Sequence, residues 1–561
     1  MKKIYRNSLL MLVAGVFVGS CASYDDVNDF YATPDPNYSE PYKDYGPVKS
    51  YIDRSKYANM SLGATLKVAD FNKQGLAHAA AVTNFDNYAF GNTLMAGNIV
   101  NERGVMNFLA MKDLLEHVEE IGGEVFGSPI VANANQADGW MSTLVAPIEV
   151  KVEVGEAKLV DYTTMEEFNG AAEQERPNRP LVAPEIVKNF KGEGNALKCN
   201  TYSMVNIVDG FDVDPLGLYT ITFYAYCDKS NSIFCTFADS LVKEKDTDAI
   251  GKKYALKRSE WTKIVVEAVP AKDATAGYLQ ISNIRNDAIY IKNVLVTHKP
   301  DNHRPQTAQE KNDTINYALR AWCDGMMKIN EGRITSFDLI DEPIDTKATL
   351  ENGMLDLKHS TTEKIFWQDV LGSENYAPTV SRVASEAFQK YGGDASKLRF
   401  FISETGLEKQ QVFESLKYWI GIWDAKGAKI DGINAKLTLT YSENAEKQAA
   451  NEATLNTLLN NLASTGKLIR LSNFDIKYQG ADGANVAAGN ITEEQRQRLA
   501  SYYAHVIKSY MEKIPNDKQA GICKGNMADT SDPVGLWSVS KSKDWVRTAT
   551  YKAFCDALSG K

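Results

Sequence analysis

The sequence predicts an α/β chain, a parallel (β/α)8 barrel interrupted by an inserted β-sandwich (jelly-roll) domain. Three observations carry that expectation. After Asn302, helical apolar faces alternate with buried strand-like runs, and the units are numerous enough to close a barrel. From Pro147 to about residue 299 the helical period disappears, and short strand-like runs with polar turns replace it. Residues 334–345 then place a short buried run, 337–340, directly before Asp341 and Glu342, and Pro343 ends any further ladder pairing because it has no N–H. A carboxylate at the carboxyl end of a barrel strand is where this architecture puts its chemistry.

Taken in order, residues 1–20 read as a leader. Lys2, Lys3 and Arg6 precede an apolar run, 9–18, that is too short to span a bilayer. The stretch Val18-Gly19-Ser20-Cys21 resembles a bacterial lipobox, which implies cleavage before Cys21 and acylation of its thiol. Residues 21–50, rich in Tyr, Asp, Asn and Pro, read as a tether. Residues 51–146 begin the barrel. Met111, Leu114, Leu115, Val118 and Ile121 share a helical face closed by Gly122-Gly123, and 124–132 follow as a strand. Residues 147–300 hold strand-like runs at 148–154, 219–227, 232–237, 262–269, 277–281 and 288–297. Residues 301–561 resume the alternation, with strands expected at 430–440, 468–476 and 520–524 and a last helix at 544–558.

Composition bounds the function. A formal charge of −10 argues against a nucleic-acid partner. The six histidines show no paired ligand spacing and the seven cysteines no C-x-x-C, so no catalytic metal and no cofactor are expected. Cys227 and Cys235 could pair across a hairpin, although buried free thiols are the favoured expectation.

The strand ends, in order, resemble glycoside hydrolase family 10, the endo-β-1,4-xylanases. Ile334-Thr335-Ser336-Phe337-Asp338-Leu339-Ile340-Asp341-Glu342-Pro343-Ile344 resembles the family's W-D-V-V-N-E-A signature. Asp431-Gly432-Ile433 resembles its D-G-I-G-x-Q-x-H segment, and Leu471-Ser472-Asn473-Phe474-Asp475-Ile476 its T-E-L-D segment. Pro533-Val534-Gly535-Leu536-Trp537 resembles the closing P-x-G-L-W-D of Bacteroidetes members. The resemblance covers about 51–146 and 301–558. It implies a glycan cleft and retaining hydrolysis by two glutamates about 5–5.5 Å apart. Glu342 stands at the acid/base position and Asn473 at the nucleophile position, and an amide cannot form a glycosyl ester. Other departures are Asn133, Lys436, Thr438 and Asp341, with Ser403-Glu404-Thr405, Met95 and Gly525 also changed. Asn92 matches, and Asp529 is expected to meet ligand.

Two further carboxylates bear on this site. Glu404, at the end of the fifth strand, is either a substitute partner for Glu342 or the ion-pair partner of Lys436, the latter being favoured. Asp341 is expected on the opposite side of the strand from Glu342. Trp140 is expected at the cleft rim. In the insert, whose end resembles a jelly-roll carbohydrate-binding module, Tyr224 and Trp261 are candidate sugar platforms. The resulting expectation is an outer-membrane, lipid-anchored, surface-exposed protein that binds a polysaccharide or oligosaccharide beside a glycan uptake complex, its retaining hydrolysis impaired or lost. The alternative is an active glycosidase using Glu342 with a substitute such as Glu404.

Overall fold

The computed structural model describes residues 42–561 except 151–156, 175–177, 179, 215–216, 239, 242–251, 272–273, 284–286, 301–302, 363 and 542. The expected leader, the acylated Cys21 and the first part of the tether lie outside the described residues. The chain divides into two compact units, one of Met1–Ala146 with Thr307–Lys561 and one of Pro147–Gln306.

The first unit is a closed parallel barrel. Its strands are β1 (Ser61–Thr65), β2 (Asn87–Ala89), β3 (Glu124–Gly127), β4 (Ser336–Asp341), β5 (Arg399–Thr405), β6 (Gly432–Ser442), β7 (Leu468–Gln479) and β8 (Gln519–Lys524). Each pairs in parallel with the next, and β8 pairs with β1 from Ser61↔Gly521 to Ala64↔Lys524, which closes the ring. The helices that follow these strands are α1 (Leu76–Asn84), α2 (Leu109–Glu120), α3 (Ala308–Asn330), α4 (Tyr376–Lys390), α5 (Gln410–Ala425), α6 (Ala445–Ser464), α7 (Glu493–Lys513) and α8 (Ala549–Leu558).

Local chemistry explains these elements. β4 and β5 are buried almost throughout, as strands covered on both faces must be. Helix starts are fixed by side chains: Thr307 with Glu310 and Thr492 with Gln495 form capping boxes on α3 and α7, and Asn444 caps α6. The end of α2 requires two glycines. Gly122 has φ +66°, and a Cβ on Gly123 would lie 2.4 Å from Tyr88.

Several expected boundaries move. The single strand expected over 124–132 is two pieces, β3 and Val131–Ala132, separated around Pro129; both pair with β4. The last helix starts at Ala549 rather than 544, because Trp545–Arg547 pairs with Trp537–Val539 as a hairpin and Thr548 caps the helix. Nor does the tether run to residue 50. Val48 is buried and its N–H donates to Asn84 Oδ1 (3.1 Å), while Tyr45 donates to Asp556 Oδ1 (3.1 Å).

The second unit is built on two large antiparallel sheets, with a two-stranded pairing of Ile148–Glu149 and His303–Arg304 beside its ends. Leu218–Cys227 and Ile289–Lys299 lie at the centre of one, Ser203–Phe211 and Gly277–Asn283 within the other. Ile221, Phe223, Val205, Ile281 and Ile291 are fully buried in one core. On Thr262–Ala268 burial alternates strictly, the mark of a sheet with one wet face. Cys227 and Cys235 are unpaired, and all six described cysteines are free and buried.

Candidate active site

The carboxyl ends of β4 to β7 bring most of the expected residues together. Glu342 follows β4 directly, with φ +47°, and its N–H donates to the Ser403 carbonyl (2.8 Å). The β4–β5 register slips between Asp338 and Ile340. The slip and the left-handed backbone break the strand alternation. Asp341 therefore does not point away from Glu342, as expected; both carboxylates meet Lys436. Lys436 Nζ lies 3.0 Å from Glu342 Oε1 and also donates to Asp341 Oδ1. Burial alone would lower the pKa of this ammonium, but Asp341, Glu342 and Asp338 together raise it above its ordinary value.

A second cation, Lys358, was not anticipated. Its Nζ donates to the Glu342 carbonyl (2.6 Å) and lies 3.9 Å from Glu342 Oε2. Lys358 comes from the segment after a hairpin, Ile344–Thr349 with Leu355–Leu357, that the strand following the acidic pair forms. Asn133 holds the same backbone from the other side. Its Nδ2 donates to the carbonyls of Asp341 (3.3 Å) and Glu342 (3.2 Å), and its Oδ1 accepts from the buried Gln368 (2.9 Å). The sequence signal for Asn133 was its family position; Gln368 gave none.

Glu404 does not pair with Lys436, contrary to the favoured expectation. It is buried, and its oxygens accept from the N–H groups of Ile344 (3.1 Å) and Thr405 (2.9 Å). Burial pushes its carboxyl up to about 7, against the pull of those two N–H groups. Asp338, lower in the barrel, is likewise pushed up to about 7 by burial and then by the charge of Asp341, although Asn434 donates to both of its oxygens at 3.0 and 3.1 Å.

Asn473 also has a left-handed backbone, φ +48°, and is exposed where β7 loses register with β8. Thr438 Oγ1 reaches its carbonyl at 3.5 Å. Beside it, Asp475 is held by the fully buried Lys524 and by Asn526 Nδ2 (2.6 Å). A Cβ on Gly525 would lie 2.6 Å from Asp475 Oδ2, so no aromatic platform fits there.

Of three expected ligand contacts, two have buried side chains and one is exposed. Trp140 is buried, 7% exposed, because Gly104 leaves room for its indole; a Cβ there would stand 2.6 Å from Nε1. Asp529 is an interior anchor rather than a ligand group, accepting from Arg496 Nη2 (2.7 Å) and the Gly535 N–H (2.8 Å). Asn92 is exposed, and its carbonyl accepts from Asn98 and Asn135. In the insert, Tyr224 is 39% exposed. Trp261 is half-buried, edge-on to Phe190 at 5.9 Å, with Lys292 Nζ 5.0 Å from its ring centre.

The arrangement is rich in hydrogen-bonding groups. One half-exposed carboxylate, Glu342, is ion-paired on both oxygens, and the neighbouring exposed side chains at Asn473 and Thr438 are neutral. Such an arrangement can bind hydroxyl groups. Retaining glycoside cleavage asks for a proton on one carboxyl and a free anionic oxygen on a second.

Comparison with known proteins agrees with the barrel. Residues 293–555, just under half of the chain, match the model for Glycosyl hydrolase family 10. Among solved structures, xylanase 10C from Cellvibrio japonicus has a TM-score of 0.50 at 11% identity, covering 92% of this chain and 74% of that one. Xylanase B from Clostridium stercorarium F9 has a TM-score of 0.50 at 11% identity, covering 91% of this chain and 100% of that one. An endoxylanase retrieved from a sugarcane soil metagenome gives 0.50 at 9% identity, with 92% and 100% covered. At such identities the likeness speaks for the fold. Among curated proteins none matches the chain.

Proposed function

We propose that this chain, of glycosyl hydrolase family 10 by its barrel, binds a xylan-type polysaccharide without cleaving it by the retaining mechanism. One observation carries the reading: Asn473 stands at the position the family resemblance gives to the nucleophile, while Glu342 is ion-paired by Lys436 and Lys358. Removing a nucleophile from an otherwise intact catalytic group costs on the order of 10⁶ in rate. The amide and hydroxyl groups that replace it still serve as sugar-hydroxyl partners. The insert, with Tyr224 and Trp261 as platforms, adds a second contact to the same polymer. Anchoring through an acylated Cys21 in the outer membrane, beside an uptake complex, completes this reading and rests on the leader sequence alone.

A second reading has one observation in its favour. The Glu404 carboxyl, at about 7, can hold a proton at neutral pH, as a general acid must. The two readings separate on a panel of plant and host glycans. Retardation in affinity electrophoresis with no product release supports the binding protein. Product release that Glu342→Gln or Glu404→Gln abolishes supports the glycosidase and defeats the first reading. Absence of both would defeat the two together.

A further inference from the structure

The amino ends of the barrel strands, at the far end from Glu342, enclose a cavity of about 820 Å³. Its lining is predominantly basic: Arg333, Lys397, Arg399 and Lys518 against Glu124 and Asp431. Of these charged groups, the anion Asp431 accepts from Lys429 (2.9 Å), and the cation Arg333 lies 3.6 Å from Glu119 and from Glu331. Arg399 spends Nη1 on the carbonyls of Ser396 and Leu398, which fixes its stem while leaving its charge without a carboxylate partner among the described residues.

Arg470 of β7 lies directly behind this lining. It is 1% exposed. Its guanidinium is surrounded by three residues that line the cavity: Ser61 Oγ at 3.4 Å, Asn87 Oδ1 at 3.3 Å and the Phe126 ring, whose centre is 4.0 Å away. All of these partners are neutral. Nε has no partner, and among the described residues no carboxylate lies within ion-pair distance of the group. Asp338, an acid that senses its charge, accepts from Asn434 at both oxygens instead. Buried cations in proteins are paired, because desolvation without a counter-charge is costly. A planar guanidinium with a free N–H, directly behind a predominantly basic lining, complements the oxygens of an anion.

We propose that this cavity is a binding site for a small multiply charged oxyanion of the phosphate or sulfate type. Arg470 supplies positive charge from behind the lining, Lys397 and Arg399 hold the anion at the rim, and Ser61 and Asn87 complete its hydrogen bonds. The site is separate from the glycan cleft, so its success or failure is independent of the function proposed above.

Isothermal titration of the full-length chain with inorganic phosphate, inorganic sulfate and glucose 6-phosphate, at ionic strength held constant with sodium chloride, tests this. Saturable binding at one site per chain is expected for at least one probe. Tighter binding of the sugar phosphate would mark the anion as sugar-borne, and tighter binding of the inorganic ions would mark it as free; either supports the site. Arg470→Met should abolish binding. Because that variant sits in the barrel interior and could fail to fold, the rim variant Lys397→Gln/Arg399→Gln is the second arm, with binding weakened about tenfold or more. No saturable binding by any probe, or binding undiminished in the folded rim variant, would overturn the proposal.

Discussion

Glu342, directly after β4, and Asn473, within β7, share the same left-handed backbone, φ +47° and +48°. These are the two positions that the family resemblance pairs as acid and nucleophile. Residues other than glycine hold such a conformation only when their surroundings impose it. Around Glu342 those surroundings are the Ser403 carbonyl, Asn133 and Lys358; around Asn473 they are two register shifts, on the β6 and β8 sides. The two positions share a backbone conformation, with a carboxylate at one and an amide at the other.

Restoring a carboxylate at that end should not restore cleavage by itself. Asn473→Glu is expected to leave xylan hydrolysis at background, because Glu342 stays paired with Lys436 and Lys358. It should also cost about 1 kcal/mol of stability, since Glu tolerates the left-handed region less well than Asn. Product release should appear only when Lys436→Gln is added. Reducing-end assays on the single and double variants check this; family-like turnover in the single variant would contradict it.

Lys436 is expected to matter more for stability than any surface ion pair. Its side chain is 17% exposed and that of Asp341 9%, so Lys436→Met leaves a buried carboxylate without its counter-charge. A loss of about 3–5 kcal/mol follows. Urea denaturation measures it, and a loss below about 1 kcal/mol would mean that water replaces the ammonium freely.

The buried carboxyl of Glu404 sets a pH dependence of known sign. Its folded pKa, about 7, exceeds the value of about 4.3 expected of an unfolded Glu. Between those values the folded chain binds more protons than the unfolded one, so this group's contribution falls as pH rises from about 4.3 to about 7. Asp338 acts with the same sign. Glu404→Gln should therefore flatten the decline in stability between pH of about 4.3 and about 7, read from urea midpoints. An unchanged slope would show that Glu404 ionises in the folded chain as it does in the unfolded one.

Much of the barrel was legible because helices such as α2 and α7 bury one face, and a 3.6-residue period survives in the sequence. β1 and β2 were not found. They are five and three residues long, and nothing so short carries a period. The pairing of Asp341 and Glu342 on one lysine was unreadable for a different reason. Strand alternation places them on opposite faces, and only the register slip in β4 and the positive φ of Glu342 turn them together. Scattered histidines gave no signal either, yet the ring nitrogens Nε2 of His78 and His117 lie 3.2 Å apart, because α1 and α2 are adjacent in space. Trp140 looked like a rim aromatic until Gly104, thirty-six positions earlier, proved to make room for it.

The lead-in segment before β1 has a consequence for how the ring is made. Tyr45 is bonded to Asp556, and Tyr551 to the Gly46 carbonyl and Asn84, contacts that span 511, 505 and 467 positions. β1 itself pairs with β8. During synthesis, β1 is therefore held without its partner until nearly the whole polypeptide has left the ribosome, with an unpaired edge exposed throughout. Contacts of such high order make barrel closure slow. A chain that lost only α8 would retain every group gathered at the carboxyl ends of β4 to β7 and still lack the clasp that completes the circle.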